Sequence, residues 1–206
     1  EGLRPLDPSR GMLAQQVEAL RLVCGGVNDG TPVIATIFSP LSMAKHLAGN
    51  ETMLSHMRHS PGAFHRGLAT LTESIGRFIE AARAVGISGV YYAVQHAAYP
   101  LLSRAEFESF GRPYDLQALA AADGLWCNIV HLHGTSVMFD LVAGYPAAFL
   151  NWHDRETGIS LAEGLAQTEA AASGGVSQWT IHRDGPDGML AEVADARAQT
   201  GGRRLL

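Results

Sequence analysis

The sequence predicts a parallel α/β protein: a (β/α)8 TIM barrel, incomplete in this chain, with about five to six strand–helix units. Three observations carry the prediction. Apolar runs of strand length alternate with amphipathic helical segments along all 206 residues, the pattern of parallel strands joined by right-handed crossovers. The runs are continuously apolar rather than alternating, which suits strands covered on both faces. No Gly-x-Gly-x-x-Gly follows any of them, which weighs against the doubly wound, dinucleotide-binding alternative. A full barrel takes about 250 residues. Glu1 opens the chain, and Arg203-Arg204-Leu205-Leu206 reads as a strand cut short. Residues 1–206 are therefore expected to be one domain belonging to a longer barrel.

The elements follow in order. Met12, Leu13, Val17, Leu20 and Val23 recur at helical spacing over residues 9–24, and Gly25-Gly26 stops that helix before the loop Asn28-Asp29-Gly30-Thr31-Pro32. Val33–Phe38 is a strand; Ser39-Pro40 then starts a helix with Ser at N-cap and Pro at N1. Asn50 opens a short helix, and Ser60-Pro61 a long one to about Val85, with Phe64, Leu68, Leu71, Ile75, Phe78 and Ile79 as its apolar stripe. Ile87–Val94 is the second strand, ending at Gln95-His96. Ser103…Glu106 is a capping box, and Pro113-Tyr114 begins a further helix. Trp126–Leu132 is the third strand, ending in His131-Leu132-His133-Gly134, with a helix over Ser136–Val142 after it. Ala147–Leu150 is the fourth strand, ending at Asn151-Trp152-His153. A second capping box, Ser160…Glu163, opens a helix that runs through Leu165 and Ala172. Val176–Ile181 reads as a strand ending at His182, and Pro186 opens the last helix, to about Gln199.

Composition narrows the function. The chain is 47% hydrophobic and 17% charged, with net charge −5, so it can bury a sizeable core and carries no basic footprint for nucleic acid. No apolar run approaches the roughly 18 residues of a membrane span. The two cysteines, Cys24 and Cys127, make no disulfide framework, which suits a reducing cytoplasm. No Gly-x-Ser-x-Gly elbow or Walker loop is present, which weighs against hydrolase and NTPase chemistry.

Histidine is the distinctive residue. A barrel carries its active site at the C-terminal ends of its strands. Those ends read Ser39, Gln95-His96, His131-Leu132-His133, Asn151-Trp152-His153 and His182, with His46 two turns into the helix after the first. His131 and His133 share one face of a strand, about 7 Å apart at Cα. They are expected to be metal ligands or paired anion donors at the barrel mouth. Catalytic zinc usually takes three protein ligands, and His96 or His153, ending the adjacent strands, would supply the third. Cys127 lies about 13 Å further down the strand and is assigned to the core.

Four stretches resemble the uroporphyrinogen decarboxylase superfamily, which contains the decarboxylase and zinc methyltransferases that work with a corrinoid protein. They are Ile37-Phe38-Ser39-Pro40-Leu41; Val94-Gln95-His96 through Leu102-Ser103-Arg104-Ala105-Glu106-Phe107 and Pro113-Tyr114; His131-Leu132-His133-Gly134, similar to the methyltransferases' His-x-Cys-Gly; and Phe149-Leu150-Asn151-Trp152. In this alignment His46 stands where the decarboxylase has a Tyr and His96 where it has a Ser. The resemblance implies a cytoplasmic homodimeric enzyme that removes carboxylate from acetate side chains of a tetrapyrrole, in porphyrin biosynthesis, without a cofactor. The methyltransferase alternative implies zinc and a corrinoid protein partner; a non-catalytic tetrapyrrole- or metal-binding barrel is a third reading. On this basis His46 and His96 are expected to be catalytic, Gln95, Asn151, His153 and His182 to line the substrate site, and His131 and His133 to hold a metal.

Overall fold

The computed structural model describes residues 2–27 and 29–206; Asn28, in the expected first loop, lies outside them. The elements in chain order are α1 (Gly11–Gly26), β1 (Ile34–Phe38), α2 (Pro40–Ala48), α3 (Asn50–His59), α4 (Pro61–Ala84), β2 (Gly89–Val94), α5 (Arg104–Phe110), α6 (Arg112–Leu119), a 3-10 turn (Ala120–Ala122), β3 (Ile129–Leu132), α7 (Phe139–Val142), β4 (Phe149–Trp152), α8 (Leu161–Leu165), β5 (Ala171–Ser173), α9 (Thr180–Arg183) and α10 (Gly185–Thr200). Both capping boxes form as expected, Ser103 with Glu106 and Ser160 with Glu163. Ser39 caps α2, its side chain accepting from the Ser42 N–H. Pro61 opens α4 as expected, but the Ser60 side chain makes no cap bond.

The five strands form one sheet in the order β1-β2-β3-β4-β5, and every pairing is parallel. Leu205 adds a parallel bridge to Ala172 on the far side of β5. A doubly wound sheet reverses its strand order at a switch point; here the order follows the sequence without reversal. That is the winding of a (β/α)8 barrel, of which these are successive units.

The sheet has two unlike faces. Tyr92, Val94, Val130, Leu132, Leu150 and Trp152 point to the helix side and are at most 2% exposed. Each such side chain contributes about 1.5–3 kcal/mol through burial. On the other face the register aligns Phe38, Ala93, His131, Asn151 and Ser173 in one row across all five strands. One layer down lie Thr36, Tyr91, Ile129, Phe149 and Ala171. This second face is only partly covered, with Thr36 exposed and Tyr91, His131, Phe149 and Asn151 half-buried. The polar row therefore lies near the C-terminal strand ends, where the histidines were expected.

Three expected elements are corrected. Val176–Ile181 is not a strand: β5 is Ala171–Ser173, and Trp179 and Ile181 are 50% and 54% exposed. His182 consequently stands exposed on α9 rather than at a strand end. An Ala-Ala-Ser strand carries little β propensity, and Ala172 at helical spacing from Leu161 and Leu165 reads as the continuation of a helix. The helix expected from Ser136 begins only at Phe139. Ser136 has φ +50°, and residues 136–138 pair instead with the segment after β2, through Tyr99 N–H to Ser136 O and Met138 N–H to Ala97 O. Trp126 precedes β3 and is 63% exposed; the strand starts after Asn128, whose side-chain oxygen accepts from the Val90 N–H at 3.1 Å.

On the helix side, Tyr92 and Tyr145 each donate a 3.0 Å hydrogen bond to the 1%-exposed Asp115. Burial pushes its carboxyl up to about 7, against the pull of the two hydroxyl donors. The folded state thus keeps a proton that the unfolded chain releases near pH 4. The resulting stability is fully present below that pH and is lost as pH rises through about 7. Asp115→Asn keeps polar partners for both tyrosines, and should flatten the fall in thermal midpoint between pH 4 and 7. An unchanged slope would show that Asp115 does not set it.

Candidate functional site

Three imidazoles converge at the C-terminal ends of β3 and β4. His131 is in β3, His133 follows it with its N–H donated to Val94 O at 3.2 Å, and His153 follows β4. Their ring centroids form a nearly equilateral triangle, at 5.7 Å (131–133), 5.5 Å (131–153) and 5.7 Å (133–153). One ligating nitrogen from each lies within 4.8 Å of the others. A tetrahedral zinc with Zn–N of about 2.0–2.1 Å spaces its ligand nitrogens about 3.3 Å apart, so small side-chain rotations suffice to close the triangle on one ion.

Asn151 aims the centre of this group. Its Nδ2 donates to Ser173 O at 2.7 Å, an acceptor only, which fixes the orientation of the amide. Its Oδ1 therefore faces Tyr91 Oη at 2.9 Å and His131 Nδ1 at 2.6 Å and accepts from both. His131 must then carry its proton on Nδ1, leaving the Nε2 lone pair free, the arrangement that second neighbours of metal-ligating histidines provide. Tyr91 also stacks on the His131 ring, 5.4 Å between centroids. Burial first, then the neighbouring His153 and His133, push His131 down to about 4, against the opposing Asn151 bond. Burial, His153 and Lys45 also lower His133. At neutral pH His131 and His133 thus offer neutral imidazole lone pairs, which favours a metal cation over an anion as their guest. Asn151→Ala should weaken metal binding by about 10–100-fold, read by competition with a chromogenic chelator; wild-type affinity would deny Asn151 this positioning role.

The other expected residues fall into two groups. His96, at the end of β2, is 1% exposed, and burial, Lys45 and His46 push it down to about 4. His46 is exposed on α2, its ring 5.0 Å from that of Phe38 at the end of β1. Gln95 is half-buried, its Oε1 without a hydrogen-bond partner among the described residues. These three border the cluster from the β1–β2 side but are not in it, and His153 rather than His96 is the third member. His182 is not brought to the group, because the strand that was to end at it does not form. Asn151 is engaged on three sides, by Ser173, Tyr91 and His131. Cys127 is buried in the core, as expected. Sequence reasoning missed Tyr91, which only the lateral register reveals, and Lys45, the sole lysine of the chain, which a residue count would have flagged.

The architecture is that of a parallel (β/α) barrel, with three histidines at its rim that could hold a metal ion. The chain belongs to the uroporphyrinogen decarboxylase (URO-D) family, which it matches over residues 1–204. No curated protein matches the sequence. Among solved structures it is similar to a methyltransferase from Methanosarcina mazei, at 17% identity and TM-score 0.81, covering 96% of this chain and 61% of that one. It is also similar to a protein described as a vitamin-B12-independent methionine synthase, from Listeria monocytogenes, at 12% identity and TM-score 0.60, covering 92% of this chain and 60% of that one. The chain thus spans about three fifths of the length of each. At these identities the likeness shows the fold. No helix among the described residues is long and apolar enough to cross a membrane.

Proposed function

We propose that this chain is the metal-binding part of a methyltransferase of the uroporphyrinogen decarboxylase family. His131, His133 and His153 would hold one zinc-type ion, and a thiol-bearing substrate would receive a methyl group from a corrinoid protein. The convergence of three imidazoles, one of them aimed by Asn151, carries this reading. When bound, such an ion lowers the pKa of a ligated thiol and stabilises the thiolate nucleophile. The protein residues do the rest: Asn151 and Tyr91 hold the His131 ring in one tautomer and one plane, and the β3–β4 pairing sets the distance between His131 and His153.

An all-imidazole set is harder than the thiolate-containing site implied by the resemblance, and leaves the bound ion more electron-poor. The cofactor-free decarboxylase remains the second reading, favoured by the positive charge of Lys45 beside His96 and His133. Single-domain organisation over residues 1–206, a homodimer and a cytoplasmic location belong to either reading; sedimentation checks the dimer.

The deciding experiment compares zinc-loaded and metal-free protein with methylcobalamin plus a small thiol, and separately with uroporphyrinogen. Metal-dependent demethylation of the cobalamin, abolished by His153→Ala, is expected. Release of carbon dioxide from uroporphyrinogen by metal-free protein, undiminished in that variant, would replace the first reading with the second.

A further inference from the structure

We propose that Lys45 and His96 form an oxyanion-binding subsite beside the three-histidine cluster, one that takes a carboxylate or phosphate group of the substrate. The subsite stands on observations separate from the cluster and holds whichever group the three histidines engage.

Lys45 is the only lysine in 206 residues. Every ion pair among the described residues is made by an arginine. Lys45 makes none, although it is half-buried in the last turn of α2. An ammonium partly withdrawn from water and left without a counter-charge is costly. A basic residue at a helix C-terminus gains something from the helix dipole, but that does not explain its neighbour.

His96 is 1% exposed, and neither of its ring nitrogens has a hydrogen-bond partner. The buried side-chain atoms left unpartnered among the described residues are its Nδ1 and Nε2 and the adjacent Gln95 Oε1. Buried polar atoms are nearly always satisfied, and exceptions gathered at one spot call for a ligand.

Backbone pairing places this spot against the cluster. His133 N–H bonds Val94 O, Met138 N–H bonds Ala97 O and Tyr99 N–H bonds Ser136 O, so the segments after β2 and β3 are laced together on both sides of His96. From the other side, His46, next to Lys45 on α2, packs its ring against Phe38 at the end of β1. Lys45 and His46 are the side chains that act on His96, and His153 and Lys45 those that act on His133, with no carboxylate among them. An oxyanion would take the Lys45 ammonium and a His96 N–H together, pairing the charge and satisfying a buried donor in one step.

The sole lysine makes the test direct. In metal-free, full-length chain labelled with lysine carrying 13C at Cε only, the sole lysine side chain gives one signal. That signal should shift saturably with inorganic phosphate and with propionate, but not with sodium chloride at matched ionic strength. His96→Leu, shown to be folded by its thermal transition, should weaken both titrations by about tenfold, as expected for loss of a hydrogen bond to a charged group. A shift that merely tracks ionic strength in the wild type would overturn the subsite, as would unchanged affinity in the variant. Because no metal is present, failure of the zinc reading leaves this result interpretable.

Discussion

Replacing His131 and His133 together with alanine is expected to strip the chain of metal, from about one equivalent to near none, in protein purified without chelator or histidine tag. The magnitude follows from the ligand count. Catalytic zinc sites rest on about three protein ligands, and the double variant leaves only His153. His153→Ala alone leaves two imidazoles and should cost at least about 100-fold in affinity, a larger loss than removing the supporting Asn151. Cobalt(II) offers an independent readout: intense visible absorption of a four-coordinate ion in the wild type, lost in each variant. Near-stoichiometric metal retained by the double variant would place the ion elsewhere and remove the basis of the methyl-transfer reading.

Whether a metal is present also decides how much weight the resemblance bears. The likeness to the solved structures shows the fold and leaves the chemistry open. The triangle of His131, His133 and His153 is the observation specific to this chain. It differs from the His-x-Cys pattern at one position, and that position, His133, is the exposed member of the three. An exposed ligand borders the open side of the group, where substrate would approach.

The legible and illegible parts of the sequence separate on physical grounds. β1 to β4 were readable because Val, Ile, Phe and Tyr runs of strand length have no good helical alternative at those lengths. β5 was not, since alanine has almost no conformational vote and the pairing of Ala171 and Ala172 with β4 decides their state. That one misplacement carried His182 to the wrong location. In the site, the period-2 rule put His131 and His133 on one face, and the strand-end rule brought in His153. The orientation of Asn151 was beyond reach. It depends on Tyr91, two residues before the level of His131, and on Ser173 one strand over. Such lateral neighbours are set by register, which no single strand encodes. The 136–138 pairing was hidden for the same reason, since its partners Ala97 and Tyr99 lie on the segment after β2.

Gly89→Ala should be the most damaging single methyl added to this protein, lowering stability by about 3 kcal/mol or more. Gly89 opens β2 opposite the entry to β3. A Cβ there would overlap the Cys127 carbonyl and lie 2.8 Å from the Asn128 amide nitrogen. The obstacles are backbone atoms, so no rotamer change relieves the clash. Asn128 is itself pinned, its side-chain Nδ2 donating to Ala122 O at 2.9 Å and its Oδ1 accepting from the Val90 N–H. The entry to β3 would have to move away from β2, disturbing the hydrogen bonds Cys127 N–H to Ser88 O and Val90 N–H to Asn128 Oδ1 together. His131 lies in β3, four residues after Cys127, so the fraction that still folds should also bind metal more weakly. Gly76→Ala is the control. Gly76 lies within α4, where an added Cβ would meet only the Ala121 Cβ at an ordinary 3.9 Å. There the change should stabilise by about 0.5–1 kcal/mol, because alanine gives up less backbone freedom on folding. Urea unfolding midpoints of the two variants should therefore move in opposite directions. If Gly89→Ala unfolds within about 0.5 kcal/mol of wild type, the surface-substitution range, then β2 and β3 do not approach as closely as their register requires.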